Sequence, residues 1–224
     1  MKGSKVFLII FALVVADQAL KIYIKTHYHA GESHAVIGNW FRLYFIENEG
    51  MAYGWRLGGD SGKLILTLFR LAAVIFGVFY LKKIIAKKYH PGFILCASLI
   101  FAGALGNLID SMFYGMLFQD SNVVLVNVAK YSPGHGYAGF LHGKVVDMLY
   151  FPIIRDAHFP SWFPIWHGQD FEFFRPIFNL ADASISVGVI AILIFQKYFF
   201  KNIPQENKSV ADSKPIVNDT ISLS

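Results

Sequence analysis

The chain has 224 residues, 55% of them hydrophobic and only 16% charged, with a mean hydropathy of +0.46 and a formal net charge of +5. That balance is too apolar for an ordinary soluble domain, and a single cysteine, Cys96, excludes an intrachain disulfide framework. The basic residues lie beside apolar runs and do not form an Arg-rich stripe among stacking aromatics, so a membrane explains them better than a nucleic acid.

A membrane-crossing helix needs about 20 mostly apolar residues. Four stretches qualify, roughly 6–25, 64–81, 92–113 and 177–200. The first is read as a retained span, because Asp17, Gln18 and Lys21 interrupt it and no small-residue cleavage site follows. After it, Val36 to Glu47 reads VIGNWFRLYFIE, rich in β-branched and aromatic residues, which predicts a strand or two and a small sheet resting on the membrane. Lys82, Lys83, Lys87 and Lys88 fill the short link between the second and third spans. A long segment follows the third span and ends in HFPSWFPIWHGQDFEFFRP, without helical or strand period. Its Trp162 and Trp166 suit an interfacial aromatic belt or, alternatively, a grip on substrate.

Lys2 and Lys5 precede the first span, and Lys197, Lys201, Lys208 and Lys214 follow the fourth. With the lysines of the central link they place both termini in the cytoplasm and the loops 26–63 and 114–176 outside. The expected fold is an all-α membrane protein: four transmembrane helices with a small extracytoplasmic β-sheet and an aromatic-rich outer loop. Residues 1–202 form the membrane domain, and the polar segment 203–224 is expected to be a disordered cytoplasmic tail.

An ionised carboxylate at membrane depth costs at least about 2.5–3.5 kcal/mol, so Asp17, Asp110 and Asp182, each near the outer end of a span, require reasons. Asp17 and Lys21 share a helix face at i,i+4, where the ammonium is expected to snorkel outward while paired. Asn107 and Asp110 share a face at i,i+3, with Gly103 and Gly106 allowing close helix approach. The fourth span opens FNLADASIS, repeating that Asn/Asp spacing in Asn179 and Asp182. Asp147 stands in the otherwise apolar run GKVVDML at the same interface.

Should Asp147 and Asp182 meet, both cannot ionise cheaply, and a pair sharing one proton can act as acid and base on one water. That is the requirement of an aspartyl peptidase. Two other readings are weighed: the polar residues only knit the bundle by hydrogen bonds, or they line a proton or cation path of a transporter. A conducting path favours ionisable groups spread through the membrane depth, and here they gather near one face. Cys96 sits mid-span, disfavouring a thiolate, and the eight histidines lack metal-ligand spacing, so no metal is expected.

These motifs, taken in order, resemble those of lipoprotein signal peptidase, also called signal peptidase II, a family of bacterial integral membrane aspartyl proteases. Asp17-Gln18-Ala19-Leu20-Lys21 resembles the family's DQxxK, and Asn48-Glu49-Gly50-Met51-Ala52-Tyr53 its NxGxAF segment. Ala102 to Asp110 resembles GGxxGNxxD, Val145-Val146-Asp147 VVD, and Phe178-Asn179-Leu180-Ala181-Asp182 FNxAD. The resemblance covers most of residues 5–200.

It implies that Asp147 and Asp182 are the catalytic dyad, and that Asp17, Lys21, Asn48, Gly50, Ala52, Gly103, Asn107, Asp110, Asn179 and Ala181 shape the site or hold substrate. It also implies a monomer in the bacterial inner membrane, without a cofactor, with its site facing the periplasm. Such an enzyme cuts diacylglyceryl-modified prolipoproteins just before the lipidated cysteine. Two departures stand out. Ser111 occupies the position where the family usually has Arg, with Arg70 and Lys144 as candidate replacements for that cation. The segments 114–142 and 153–175 also look longer than the family needs, which suggests a reshaped outer lid or substrate entry.

Overall fold

The first apolar run forms one helix, α1 (Gly3–His27), whose outward face carries Phe7, Leu8 and Phe11 and whose buried residues include Asp17, Lys21 and Lys25. This inversion, apolar outside and polar inside, suits a helix whose solvent is lipid. The computed structural model describes residues 1–38, 40–49, 59–121, 127–152, 154–158, 170–173 and 176–201, with only the backbone of 59–60, 154–158 and 170–173. The expected tail 203–224, with Trp162, Trp166, Gly50 and Ala52, lies outside the described residues.

Three further helices complete the membrane part: α2 (Gly59–Ala86), α3 (Pro91–Ile109) and α4 (Leu180–Phe199). Among the described residues four helices are long and apolar enough to cross a membrane. His90 caps α3, its Nδ1 accepting the Gly92 N–H at 3.1 Å, and Pro91 occupies the first helical turn, where its missing N–H costs nothing. At its C-terminal end α3 widens into a π-turn, Asp110–Tyr114, and closes with a short α-helical stretch, Gly115–Leu117. Such insertions rotate the residues beyond them and recur at functional sites.

Glycine sets how closely the helices approach. A Cβ on Gly103 would lie 2.2 Å from the Ala181 carbonyl oxygen, and one on Gly188 2.7 Å from that of Cys96. Small residues at these crossings let the backbones of α3 and α4 touch, the usual basis of helix association in lipid.

The strands lie toward the end of the bundle that holds the π-turn. β1 (Ser33–Ile37) and β2 (Phe41–Asn48) fall where the alternating pattern predicts them. β3 (Val145–Tyr150) and the two-residue β6 (Ile177–Phe178) join them in an antiparallel sheet ordered β1-β2-β3-β6. A separate hairpin pairs β4 (Ile154–His158) with β5 (Asp170–Phe173). Asp147 therefore sits on a strand, opposite Ile46 of β2. The fourth span begins at Leu180 and not at 177, because residues 177–178 belong to the sheet and Asn179 is the helix cap.

Just before β3 the chain passes close against the π-turn. Gly143 donates its N–H to the Ser111 carbonyl at 2.9 Å, and a Cβ there would lie 2.1 Å from the Asp110 carbonyl oxygen. Only glycine allows β3 to start against the π-turn.

Candidate active site

Asn179 is the junction of the site. As the cap of α4 it accepts the Asp182 N–H on Oδ1 at 2.8 Å, and its own backbone N–H reaches Asp182 Oδ2 at 3.5 Å, a reciprocal capping box. Its fully buried side chain donates through Nδ2 to Asp147 Oδ1 at 2.7 Å and to Asn107 Oδ1 at 3.1 Å. Asn107 in turn donates to Asp182 Oδ1 at 2.7 Å. Two asparagines thus hold Asp147, from the sheet, and Asp182, from the first turn of α4, in one network. Asn48 of β2 adds a donor to Asp147 Oδ2 at 3.3 Å.

Behind this pair lies a second, fully enclosed layer. Lys21 does not snorkel: its side chain has no exposure and turns inward to Asp17 at 2.9 Å, Asp110 at 2.8 Å and Asn107 Oδ1 at 2.9 Å. The reason is Asp110, brought from α3 to a distance at which one ammonium offsets two buried carboxylates, and each of these needs that partner. Asp17 Oδ1 also accepts the Ala181 N–H at 2.9 Å, placing an anion at the positive end of α4. Gly106 keeps room for this, since a Cβ there would lie 2.7 Å from Asp17 Oδ2.

Burial, reinforced by the charge of Asp182, pushes the Asp147 carboxyl up to about 7. Donors from Asn48 and Asn179 and the charge of Lys21 act in the opposite direction and do not cancel it. Asp147 is 3% exposed, whereas Asp182 is half-buried. A carboxyl that keeps its proton near neutrality beside a second carboxylate can donate one proton while its neighbour accepts another.

Asp17, Lys21, Asn48, Gly103, Asn107, Asp110, Asn179 and Ala181 all converge with Asp147 and Asp182, and Gly50 and Ala52 lie outside the described residues. Lys144 does not join them; its ammonium binds Asp120 at 2.9 Å and Glu47 at 3.7 Å and lies over the Tyr137 ring. Arg70 does reach the site, donating to Ser111 Oγ at 2.8 Å.

Gln18, the second residue of the DQxxK segment, was not among the expected site residues. Its Nε2 donates to Asp110 at 2.8 Å and to Asp17 at 3.2 Å, and its Oε1 accepts from Tyr114. Its place beside Asp17 was the available signal. A distinct ion cluster ties β2 and Ser121 to α1: fully buried Lys25 pairs with Glu47 and donates to Ser121 Oγ at 3.1 Å. Among the described residues, no group of three or more His, Cys, Asp or Glu could hold a metal ion.

A four-helix membrane bundle with two carboxyls at one end, one of them poised near neutrality, has the outline of a membrane peptidase. The sequence relationships agree. Residues 9–199 match the family Signal peptidase (SPase) II, and the chain belongs to that family of peptidases. It is 45% identical over 194 residues to a lipoprotein signal peptidase of Porphyromonas gingivalis, covering 86% of this chain and 83% of that protein. A lipoprotein signal peptidase of Amoebophilus asiaticus is 31% identical over 218 residues, covering 95% and 87%. A solved bacterial membrane enzyme structure superposes with a TM-score of 0.55 at 26% identity, covering 92% of this chain and 94% of that one.

Proposed function

We propose that this protein removes the signal peptides of diacylglyceryl-modified prolipoproteins by an aspartyl mechanism, cutting just before the lipidated cysteine. The observation that carries the mechanism is the joint hold of Asn179 and Asn107 on Asp147 and Asp182. A water between the two carboxyls loses a proton to Asp182 as it attacks the scissile carbonyl. Protonated Asp147 donates to the carbonyl oxygen, and the resulting diol collapses as a proton passes to the leaving amine. Lys21, Asp17 and Asp110 take no proton in this scheme; they hold Asn107 and the start of α4 in place.

Topology follows from charge. Lys2, Lys5, Lys82, Lys83, Lys87, Lys88, Lys197 and Lys201 lie at one end of the four helices, which supports cytoplasmic termini and a site on the periplasmic side of a bacterial inner membrane. The site then opens at the level of the outer leaflet, where a diacylglyceryl group is anchored, and one chain contains every group the reaction uses. Product masses from a synthetic diacylglyceryl-modified precursor test the cut position. A product beginning with the modified cysteine is expected, and a cut elsewhere, or equal cutting of the unmodified peptide, rejects the assignment.

A further inference from the structure

The charges around the dyad do not balance on the elements that carry it. α1 contributes Asp17 and Lys21, α3 Asp110, β3 Asp147 and α4 Asp182, so four carboxyls share one ammonium that already contacts two of them. On β2 the flanking Glu47 is paired with Lys25 and Lys144, and Glu49 gives its carbonyl oxygen to Lys63 Nζ of α2 at 2.8 Å. The Lys144 ammonium is turned to Asp120 and Glu47. Lys63 thus meets a neutral carbonyl, and seven residues further, on the same face of α2, Arg70 brings a second cation to the site.

Arg70 Nη1 donates to Ser111 Oγ at 2.8 Å, and that hydroxyl donates to the Asn107 carbonyl at 2.9 Å. Asn107 is the residue whose side chain holds Asp182. Burying the guanidinium is costly, and the charges of Asp182, Asp110 and Asp147 offset part of that cost. A charge with these partners, on a helix whose opposite side shows Ile65, Phe69 and Phe76 to lipid, is placed for the site and not for the bilayer.

We infer that Arg70 is a positioning residue of the peptidase site, the cation that sustains the negative charge of the Asp147–Asp182 pair and, through Ser111, fixes the π-turn carrying Asp110. This rests on the aspartyl reading proposed above. A guanidinium close to a carboxyl pair favours its ionised forms, so removing it makes each proton harder to take away.

The test is the pH profile of kcat/KM for the purified full chain in detergent, acting on a diacylglyceryl-modified prolipoprotein peptide. Arg70→Gln is expected to move both limbs of the profile to higher pH by about one unit, so that the rate falls by up to about tenfold at pH values well below the acid limb. Arg70→Lys, which keeps the charge, returns the limbs toward their wild-type positions. The exchange Arg70→Ser with Ser111→Arg keeps volume and charge and delivers a guanidinium from the π-turn; its limbs are also expected at wild-type pH. An Arg70→Gln profile unmoved on the pH axis, whatever its height, overturns the inference. Should Arg70→Gln fail to fold, a folded exchange variant with displaced limbs or no activity overturns it equally. Cleavage surviving in Asp147→Asn or Asp182→Asn instead removes the dyad reading and the inference with it, an outcome distinct from an unmoved profile on a working dyad.

Discussion

Asn179 Nδ2 donates to Asp147 across 2.7 Å while the Oδ1 of the same side chain accepts the Asp182 N–H and caps the helix, so one side chain sets the position of both carboxyls. The cap belongs to the peptidase geometry as much as to helix stability.

Asn179→Ala removes both functions. Loss of the cap costs about 1 kcal/mol, and the acceptor left unpaired on Asp147 Oδ1 adds about 1–3 kcal/mol. The expected result is a thermal midpoint lowered in detergent together with a kcat reduced by about two orders of magnitude. A variant with normal kcat would show that the dyad is held without Asn179.

The titration of Asp147 links pH to stability. Its carboxyl stands at about 7 in the folded protein because of burial and the charge of Asp182, against about 3.9 unfolded. Between those values the folded state binds the proton more tightly, so stability falls as pH rises through this window and the loss is complete above about 7. From pH 5 to pH 8 the wild type should lose on the order of 2 kcal/mol more than Asp147→Asn, read from unfolding in detergent. Parallel pH dependence in the two proteins would refute the shift.

Lys21 is the partner of two enclosed carboxylates, Asp17 and Asp110. Replacing it with Met leaves both uncompensated, at about 3–5 kcal/mol. Lys21→Met should therefore fail to accumulate as folded protein, with partial recovery when Asp110→Asn is added. An undiminished midpoint in the single variant would argue against a shared ion pair.

Much of this was legible in the amino-acid order, for physical reasons. Apolar runs of bilayer length announce helices, and carboxylates inside them announce a site, because lipid makes each one expensive. What pattern could not show was non-local. Lys21 points inward because Asp110 arrives from another helix, 89 positions away. Asn179 and Asp182 read as one helical face at i,i+3, yet Asn179 precedes the helix as its cap. β3 is a strand through pairing with β2, about a hundred residues earlier, and nothing in GKVVDML alone signals that partner. Lys144 looked close to the dyad by sequence distance, but strand geometry sends its ammonium to Glu47 and Asp120.

Gly103 lies at the tightest point between α3 and α4. Gly103→Val would press Cβ into the Ala181 carbonyl, which lies 2.2 Å from the Cβ position, and into Ile185, forcing apart the helices that carry Asn107 and Asp182. A loss of about 2–3 kcal/mol with a large fall in kcat is expected, measured by unfolding and turnover on the same preparation. Full activity at Gly103→Val would mean that the close approach is not needed.

On the proposed mechanism Asp147 and Asp182 together perform the cleavage. The most direct measurement follows a diacylglyceryl-modified prolipoprotein peptide with purified wild type, Asp147→Asn and Asp182→Asn, each shown to be folded by its thermal midpoint. Product from the wild type and loss of at least about three orders of magnitude in both variants is the predicted result. Turnover persisting in either folded variant would contradict it.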